Sequence, residues 1–413
     1  MIRQTVFPFK LERTDERVTA RSGLVLFGEF MEAMGVGALV SCHLPGPGSG
    51  RGFEPMRYVG PLSMMLYGGG EAIEDVREIR EDSSLRKVVE LGEVPSSSAI
   101  GDWLRRMGER GGIGGMERIN DGIVRKVLKR DKAKGYTLII DPTMIESQKR
   151  EAQMSYLGYK GYRPVVATLK ENGLAVGYEF KEGNDNGGKL QILKKAFGKM
   201  PRGKRIDTVL LDAEYYSHEV IDYLEVQGVD WAICVDKDAS VMEAVGRIWD
   251  WRSFRTEEGI MTDREISETV HTTNKGKSVF RLVVLRWKDR QGDLFGDSYH
   301  YHCIATGMIE EDAEQVVWRY NQRAHIENHI KEIKSGFGMD RMPCGEFLAN
   351  SVHFGIGIMT YNLFIAQRLL AMPEFWRTKT IKTLRWQAEL FTMVEASFSK
   401  SRPVWTSTES IWR

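Results

Sequence analysis

Tyr320-Asn321-Gln322-Arg323-Ala324-His325-Ile326-Glu327, continuing to Lys334, is the stretch on which the reading of this chain turns. Projected as a helix at about 100° per residue, Tyr320, Arg323, Glu327 and Lys334 fall within roughly a 60° arc. That face carries one carboxylate among two cations and a phenol. A core face would be apolar, and a solvent face scatters its charges more widely. A single acid among groups suited to gripping phosphate fits a metal ligand in a phosphoryl-transfer site. A solvated helix with charge pairs three and four residues apart fits the same residues. The choice between them depends on the rest of the chain.

A chain of 413 residues exceeds one ordinary compact domain. Its hydrophobic fraction of 42% and charged fraction of 28% are those of a soluble globular protein. The four cysteines, Cys42, Cys234, Cys303 and Cys344, lack paired spacing. This argues against a zinc ribbon or a disulfide framework and fits a reducing compartment, so a cytoplasmic location is expected. The N-terminus has no long apolar run of the signal-peptide kind. The most apolar segment, 354–372, is interrupted by Asn362, Gln367 and Arg368, as in a buried core helix and not a membrane span. Net charge is only +1, so bulk composition does not argue for nucleic acid. The distribution says more: residues 189–205 hold seven Lys/Arg and no acid. This is either a DNA-tracking face or a plain solvated helix.

An alternating arm is expected over 3–21, then helices over 22–44, 58–67 and 71–80 around a Pro/Gly-rich loop at 45–52. Val94-Pro95-Ser96-Ser97-Ser98 supplies a turn and an N-cap for a helix bearing Arg105 and Arg106, the outline of a helix-turn-helix. A flexible glycine-rich loop is expected at 108–115. From Gly135 the character changes. Tyr136-Thr137-Leu138-Ile139-Ile140-Asp141 reads as a strand ending in an acid, and 164–169 and 174–180 complete an antiparallel meander. A helix from 189 leads to Thr208-Val209-Leu210-Leu211-Asp212, a second apolar strand ending in an acid. A helix over 217–227 and a strand over 230–235 follow. The order β-β-β-α-β-α-β is that of an RNase H-like fold.

The expected class is therefore α/β: an RNase H-like core, a mixed five-stranded sheet with flanking helices, interrupted by a β-rich insertion. A helical N-terminal DNA-binding domain (1–130) precedes it. The core occupies 131–240 and 307–372, the insertion 241–306, and a C-terminal helical region 373–413. Asp141 and Asp212 at strand ends, with Glu327 on the helix, suit a site holding two cations about 4 Å apart. Magnesium takes oxygen ligands and keeps several waters, so a few carboxylates and substrate phosphate suffice. The three carboxylates should converge within metal-bridging distance, with Arg323 and Lys334 facing the same cleft.

These residues resemble a family. The contexts Leu138-Ile139-Ile140-Asp141-Pro142-Thr143 and Val209-Leu210-Leu211-Asp212-Ala213-Glu214, and the spacing Tyr-x-x-Arg-x-x-x-Glu-x-x-x-x-x-x-Lys at Tyr320, Arg323, Glu327 and Lys334, are similar to the DDE transposases of bacterial insertion sequences. So are the run 156–162, Glu182-Gly183-Asn184 and the region around Val94-Pro95-Ser96. The resemblance covers roughly residues 10–400. It implies cut-and-paste DNA transposition with Mg2+, for which Mn2+ substitutes, at two ions per site. It makes Asp141, Asp212 and Glu327 the catalytic, metal-binding triad, and Tyr320, Arg323 and Lys334 contacts to DNA. Lys331, Arg105 and Arg106 are further candidate DNA contacts. The implied partners are double-stranded DNA, as terminal inverted repeats and target, and a second copy of the chain in a synaptic complex. The implied setting is the bacterial nucleoid.

Other readings stay open. Glu214 is a rival ligand to Asp212, while Glu146, Asp185 and Asp236 lie near the site in sequence. His325 and His329 could bind zinc at i,i+4 spacing but lack a third ligand. Trp249, Trp251 and Trp287 could stack on a base or simply pack the insertion. A nuclease without strand transfer, or a non-catalytic DNA-binding descendant of a transposase, would share much of this sequence.

Overall fold

A computed structural model describes residues 19–48, 50, 52–273, 278–288 and 299–385. Its centre is one mixed sheet of β1 (Gly135–Pro142), β2 (Val165–Leu169), β3 (Ala175–Glu179), β4 (Arg205–Leu211), β5 (Asp230–Val235), β6 (Arg252–Arg255), β7 (Met261–Thr272), β8 (Val279–Lys288) and β9 (Tyr299–Thr306). The spatial order is β3-β2-β1-β4-β5-β9-β8-β7-β6. The expected meander is present, since β1–β2 and β2–β3 are antiparallel. Strands β1, β4 and β5 run parallel, joined by crossovers that carry the helices Lys189–Lys199 and His218–Gln227. Leu138, Ile139 and Ile140 are all buried, as a strand covered on both faces requires.

The β-rich stretch does not stand apart from this sheet. Strand β9 pairs antiparallel with β5, and β8, β7 and β6 continue outward from it. Alternation along a strand reports which face is apolar but not which edge the strand joins. Between β1 and β2 the chain makes a small second sheet from Ile145–Glu146, Gln153–Met154 and Lys160–Tyr162, with the last in the middle.

The two faces of the main sheet bury different partners. Ile139, Leu210 and Ala232 pack with Val316, Val317, Tyr320, Ile326 and Ile330 of the helical stretch after β9. The opposite face meets the helix Phe347–Leu370, every residue of which from Ala349 to Gln367 is buried. A helix apolar on all sides belongs in a core, and among the described residues no single helix is long and apolar enough to cross a membrane. Its polar residues are bonded. Asn362 Oδ1 accepts from Ala175 N at 2.8 Å, and its Nδ2 donates to Asn120 Oδ1 at 2.7 Å. These bonds join the N-terminal helices, the central helix and β3.

Two expectations change. The helix over 22–44 is two, Ser22–Ala33 and Val36–His43, bent by 60° where Gly35 adopts φ +63°. The glycine-rich run 108–115 is not a flexible loop. It joins the helices Ser97–Glu109 and Gly112–Arg130, and a Cβ on Gly115 would lie 2.6 Å from the His43 carbonyl oxygen. The helix ahead of the Ser97–Glu109 helix is short, Ser83–Val88, and the Ser96 hydroxyl caps the longer one by accepting from Ala99 N at 3.3 Å. Most of the arm at 3–21 and most of the C-terminal helical region at 373–413 lie outside the described residues.

Candidate active site

Strands β1 and β4 are parallel neighbours with Ile140 opposite Leu211, so Asp141 and Asp212 emerge side by side at the C-terminal ends of two interior strands. Asp212 Oδ1 accepts from Ala213 N at 2.8 Å and caps the turn Ala213–Tyr215. Arg323 projects from a short 3-10 turn, Gln322–Ala324, onto this pair. Its Nη2 lies 2.7 Å from Asp141 Oδ1 and 3.0 Å from Asp212 Oδ2. Burial pushes the Asp141 carboxyl up to about 6; Arg323 opposes this, and the charges of Asp212 and Glu327 add to it. The pair therefore favours a proton or a cation, and a guanidinium fills that need here.

Glu327, on the helix His325–Lys331, is exposed but near enough for its charge to act on Asp141. The expected convergence of three carboxylates is not reached. Among the described residues no group of three or more His, Cys, Asp or Glu is arranged to hold a metal ion. Arg323 occupies the space between two of them. Tyr320 is only 6% exposed, with its ring 5.8 Å from that of His302, so it is a wall behind the site and not an open contact surface. Burial drives its phenol pKa well above the ordinary value. Lys334 lies in a π-turn, Glu332–Gly336, and donates from Nζ to the Met144 carbonyl at 2.7 Å. It clasps the chain three residues beyond Asp141. Burial lowers its ammonium pKa. Lys331 is exposed on the same stretch.

The rival residues have other partners. Glu214 is ion-paired to Arg163, whose side chain is 4% exposed. Asp185 accepts from Gly187 N at 2.7 Å. His329 Nδ1 meets Thr168 Oγ1 at 3.1 Å, and burial lowers the imidazole to about 4. The basic run 189–205 is largely engaged: Lys195 pairs with Glu117 and Glu179 at 3.3 and 3.2 Å, and Lys199 with Asp121 at 2.8 Å. Arg105 bridges Asp102 and Glu346, at 2.8 and 2.9 Å, fastening the Ser97–Glu109 helix to the start of the central helix. Arg106 is exposed beside the loop at Pro45, Pro47 and Gly48. Trp249 is exposed, Trp251 carries the Arg286 guanidinium 4.0 Å above its ring, and Trp287 carries that of Arg264 at 4.8 Å.

Sequence reasoning missed Arg163, the buried cation that fixes Glu214. Its only signal was a lone arginine beside an apolar strand. The small sheet at 145–162, rooted beside the site, was missed as well: its strands are too short for alternation to show.

Over residues 8–393 the chain matches the family described as "Transposase DDE domain group 1". No curated protein matches it. Solved structures similar to it include a cryo-EM structure of the piggyBac transposase synaptic complex with hairpin DNA. That likeness has a TM-score of 0.50 at 11% identity and covers 94% of this chain and 85% of the other. At that identity the likeness speaks for the fold alone.

Proposed function

This chain belongs to the transposase DDE domain group 1 family, and from that premise we propose that it is a DNA transposase cutting at the ends of its element and joining them to target DNA. The observation that carries the reading is the Asp141–Arg323–Asp212 cluster: two carboxylates at the ends of adjacent parallel strands, already gripping a cation. In this reading the sheet portion β3-β2-β1-β4-β5 is an RNase H-like core, and β6–β9 belong to an insertion that extends it.

The donor chemistry suits a hard divalent ion: carboxylate oxygens, one of them held above its ordinary pKa by burial and neighbouring negative charge. Asp141, Asp212 and Glu327 are the residues that would hold magnesium or manganese, two ions per site. When bound, these ions supply acidity to the attacking water and charge neutralisation at the leaving oxygen. Water oxygen attacks phosphorus at the element's end, the P–O3′ bond breaks and a 3′-hydroxyl is freed. That hydroxyl then attacks a target phosphodiester, forming a new P–O bond as the old 3′ oxygen leaves. Arg323 and the exposed Lys331 are placed to bind backbone phosphate once DNA is present. Arg106 on the N-terminal helices is an outlying phosphate contact, while Arg105 and Lys334 act first on the protein's own structure. Two ends must be held together, so a homodimer on DNA is expected.

Asp141→Asn, Asp212→Asn and Glu327→Gln should each abolish strand cleavage of duplexes taken from the DNA flanking the coding sequence, while end binding persists. Full cleavage by any one of them in magnesium would remove that residue from the triad.

A further inference from the structure

The small sheet rooted at the candidate site ends in a turn whose polarity is inverted. Exposed turns ordinarily show polar residues to water. Here Ser155 is buried and holds the turn from inside: its hydroxyl and its N–H both bond the Tyr159 carbonyl at 2.8 Å. Leu157 N donates to the Ser155 hydroxyl at 3.3 Å, and Gly158 takes φ +83°. The apolar side chains point outward: Tyr156 is 71% exposed, Met154 52% and Leu157 50%. From Gln153 to Lys170 the sequence has no acid, and Lys160 is exposed beside the tip.

The root of this tip is fixed at both ends. Lys334 holds Met144 on one side, three residues from Asp141. Glu151 accepts from Phe347 N at 2.8 Å and donates its own N–H to the Gly345 carbonyl at 3.0 Å, anchoring the sheet to the start of the central helix. A stiff projection with an apolar tip, no acid from Gln153 to Lys170 and a root beside the carboxylates has a natural occupant in the duplex those carboxylates would cut. Aromatic and aliphatic wedges enter DNA by packing against unstacked bases, and an acid-free flank tolerates the nearby phosphates.

We propose that Tyr156 and Leu157 form a wedge that packs against the bases of bound DNA next to the cleavage site. The proposal rests on the transposase reading. The test compares the full chain with its Tyr156→Ser, Leu157→Ser double variant. The probes are 40-bp duplexes from the DNA flanking the coding sequence, with 2-aminopurine walked through the terminal positions, and a random duplex with a three-nucleotide overhang. Wild-type protein should raise 2-aminopurine fluorescence at one or two adjacent positions. The variant should melt at the same temperature, bind about tenfold more weakly and lose the fluorescence rise. Equal affinity and an equal rise would overturn the wedge alone. So would a variant whose defect is lost self-association in sedimentation with DNA affinity unchanged, since the tip would then face a second copy of the chain. Wild-type protein that binds none of the duplexes would overturn the transposase reading and the wedge with it.

Discussion

Arg323 Nη2 lies 2.7 Å from Asp141 Oδ1, inside the space a divalent ion would need, and reaches Asp212 Oδ2 at 3.0 Å as well. The guanidinium is a resident counter-ion for a pair of carboxylates that repel one another. Any cation arriving there competes with it. Arg323→Gln should therefore strengthen Mn2+ binding by about tenfold, as the removal of one like charge at close range implies. DNA cleavage should fall in the same variant, because the phosphate contact goes with it. Isothermal titration with Mn2+ measures the first effect. Weaker Mn2+ binding would show that Arg323 organises the carboxylates without competing for them.

Asp141 gives the protein a pH dependence of a definite sign. Its carboxyl titrates near 6 in the folded chain and near 3.9 when unfolded. The folded state thus binds the proton more tightly. The contribution of this carboxyl to stability is fully present below about 4 and is lost as pH rises through about 6. In EDTA, Asp141→Asn should gain about 2–3 kcal/mol over wild type at pH 7.5 and almost nothing at pH 4. Urea denaturation at the two pH values checks this. Wild-type Mn2+ affinity should rise with pH up to about 6 and then level, since ion and proton share the carboxylate.

Glu214 separates a ligand from a structural acid. It is paired with Arg163, which is almost wholly buried. Removing its charge strands a guanidinium in the interior, at a cost of about 3–5 kcal/mol. Glu214→Gln should lower thermal stability strongly and leave Mn2+ affinity per folded molecule unchanged. A tenfold loss of Mn2+ affinity in protein that is still folded would make Glu214 a ligand after all.

The sequence made the two aspartates legible because each follows a run of apolar residues, Leu138–Ile140 and Val209–Leu211, that only a buried strand explains. The chemistry of Arg323 was legible as a cation near a carboxylate. Its place between Asp141 and Asp212 was not, because it arises from the 3-10 turn at Gln322–Ala324. An ideal helical projection cannot represent that turn or the π-turn at Glu332–Gly336. Those turns answer to distant partners: Glu332 accepts from Ile381 N at 2.8 Å, and a Cβ on Gly336 would come 2.9 Å from Ile381 Cγ2. The same limit explains the basic run at 189–205. Its partners Glu117, Asp121 and Glu179 are far away in sequence, so composition showed unpaired charge where the fold has ion pairs. A β-rich stretch over 241–306 was legible, but its individual strands β6 and β7 were not, nor was the attachment of β9 to the β5 edge.

Asn362 tests whether the central helix and the Gly112–Arg130 helix stand or fall together. It lies at the middle of the buried helix and makes three bonds: from Ala175 N, to the Ala175 carbonyl and to Asn120 Oδ1. Asn120 itself reaches the Ala175 carbonyl at 3.2 Å. Leucine at 362 has nearly the right volume but leaves an amide N–H and the Asn120 carbonyl oxygen without that partner. Each unsatisfied buried group costs about 1–3 kcal/mol, so Asn362→Leu should lose about 3 kcal/mol overall. Asn120→Ala should lose less, since Ala175 keeps its bonds to Asn362. The double variant should fall short of the sum, because both changes break the same Asn120–Asn362 bond. Urea denaturation of the four proteins in this cycle gives the coupling directly, and simple additivity would show that the two helices are not joined through this pair.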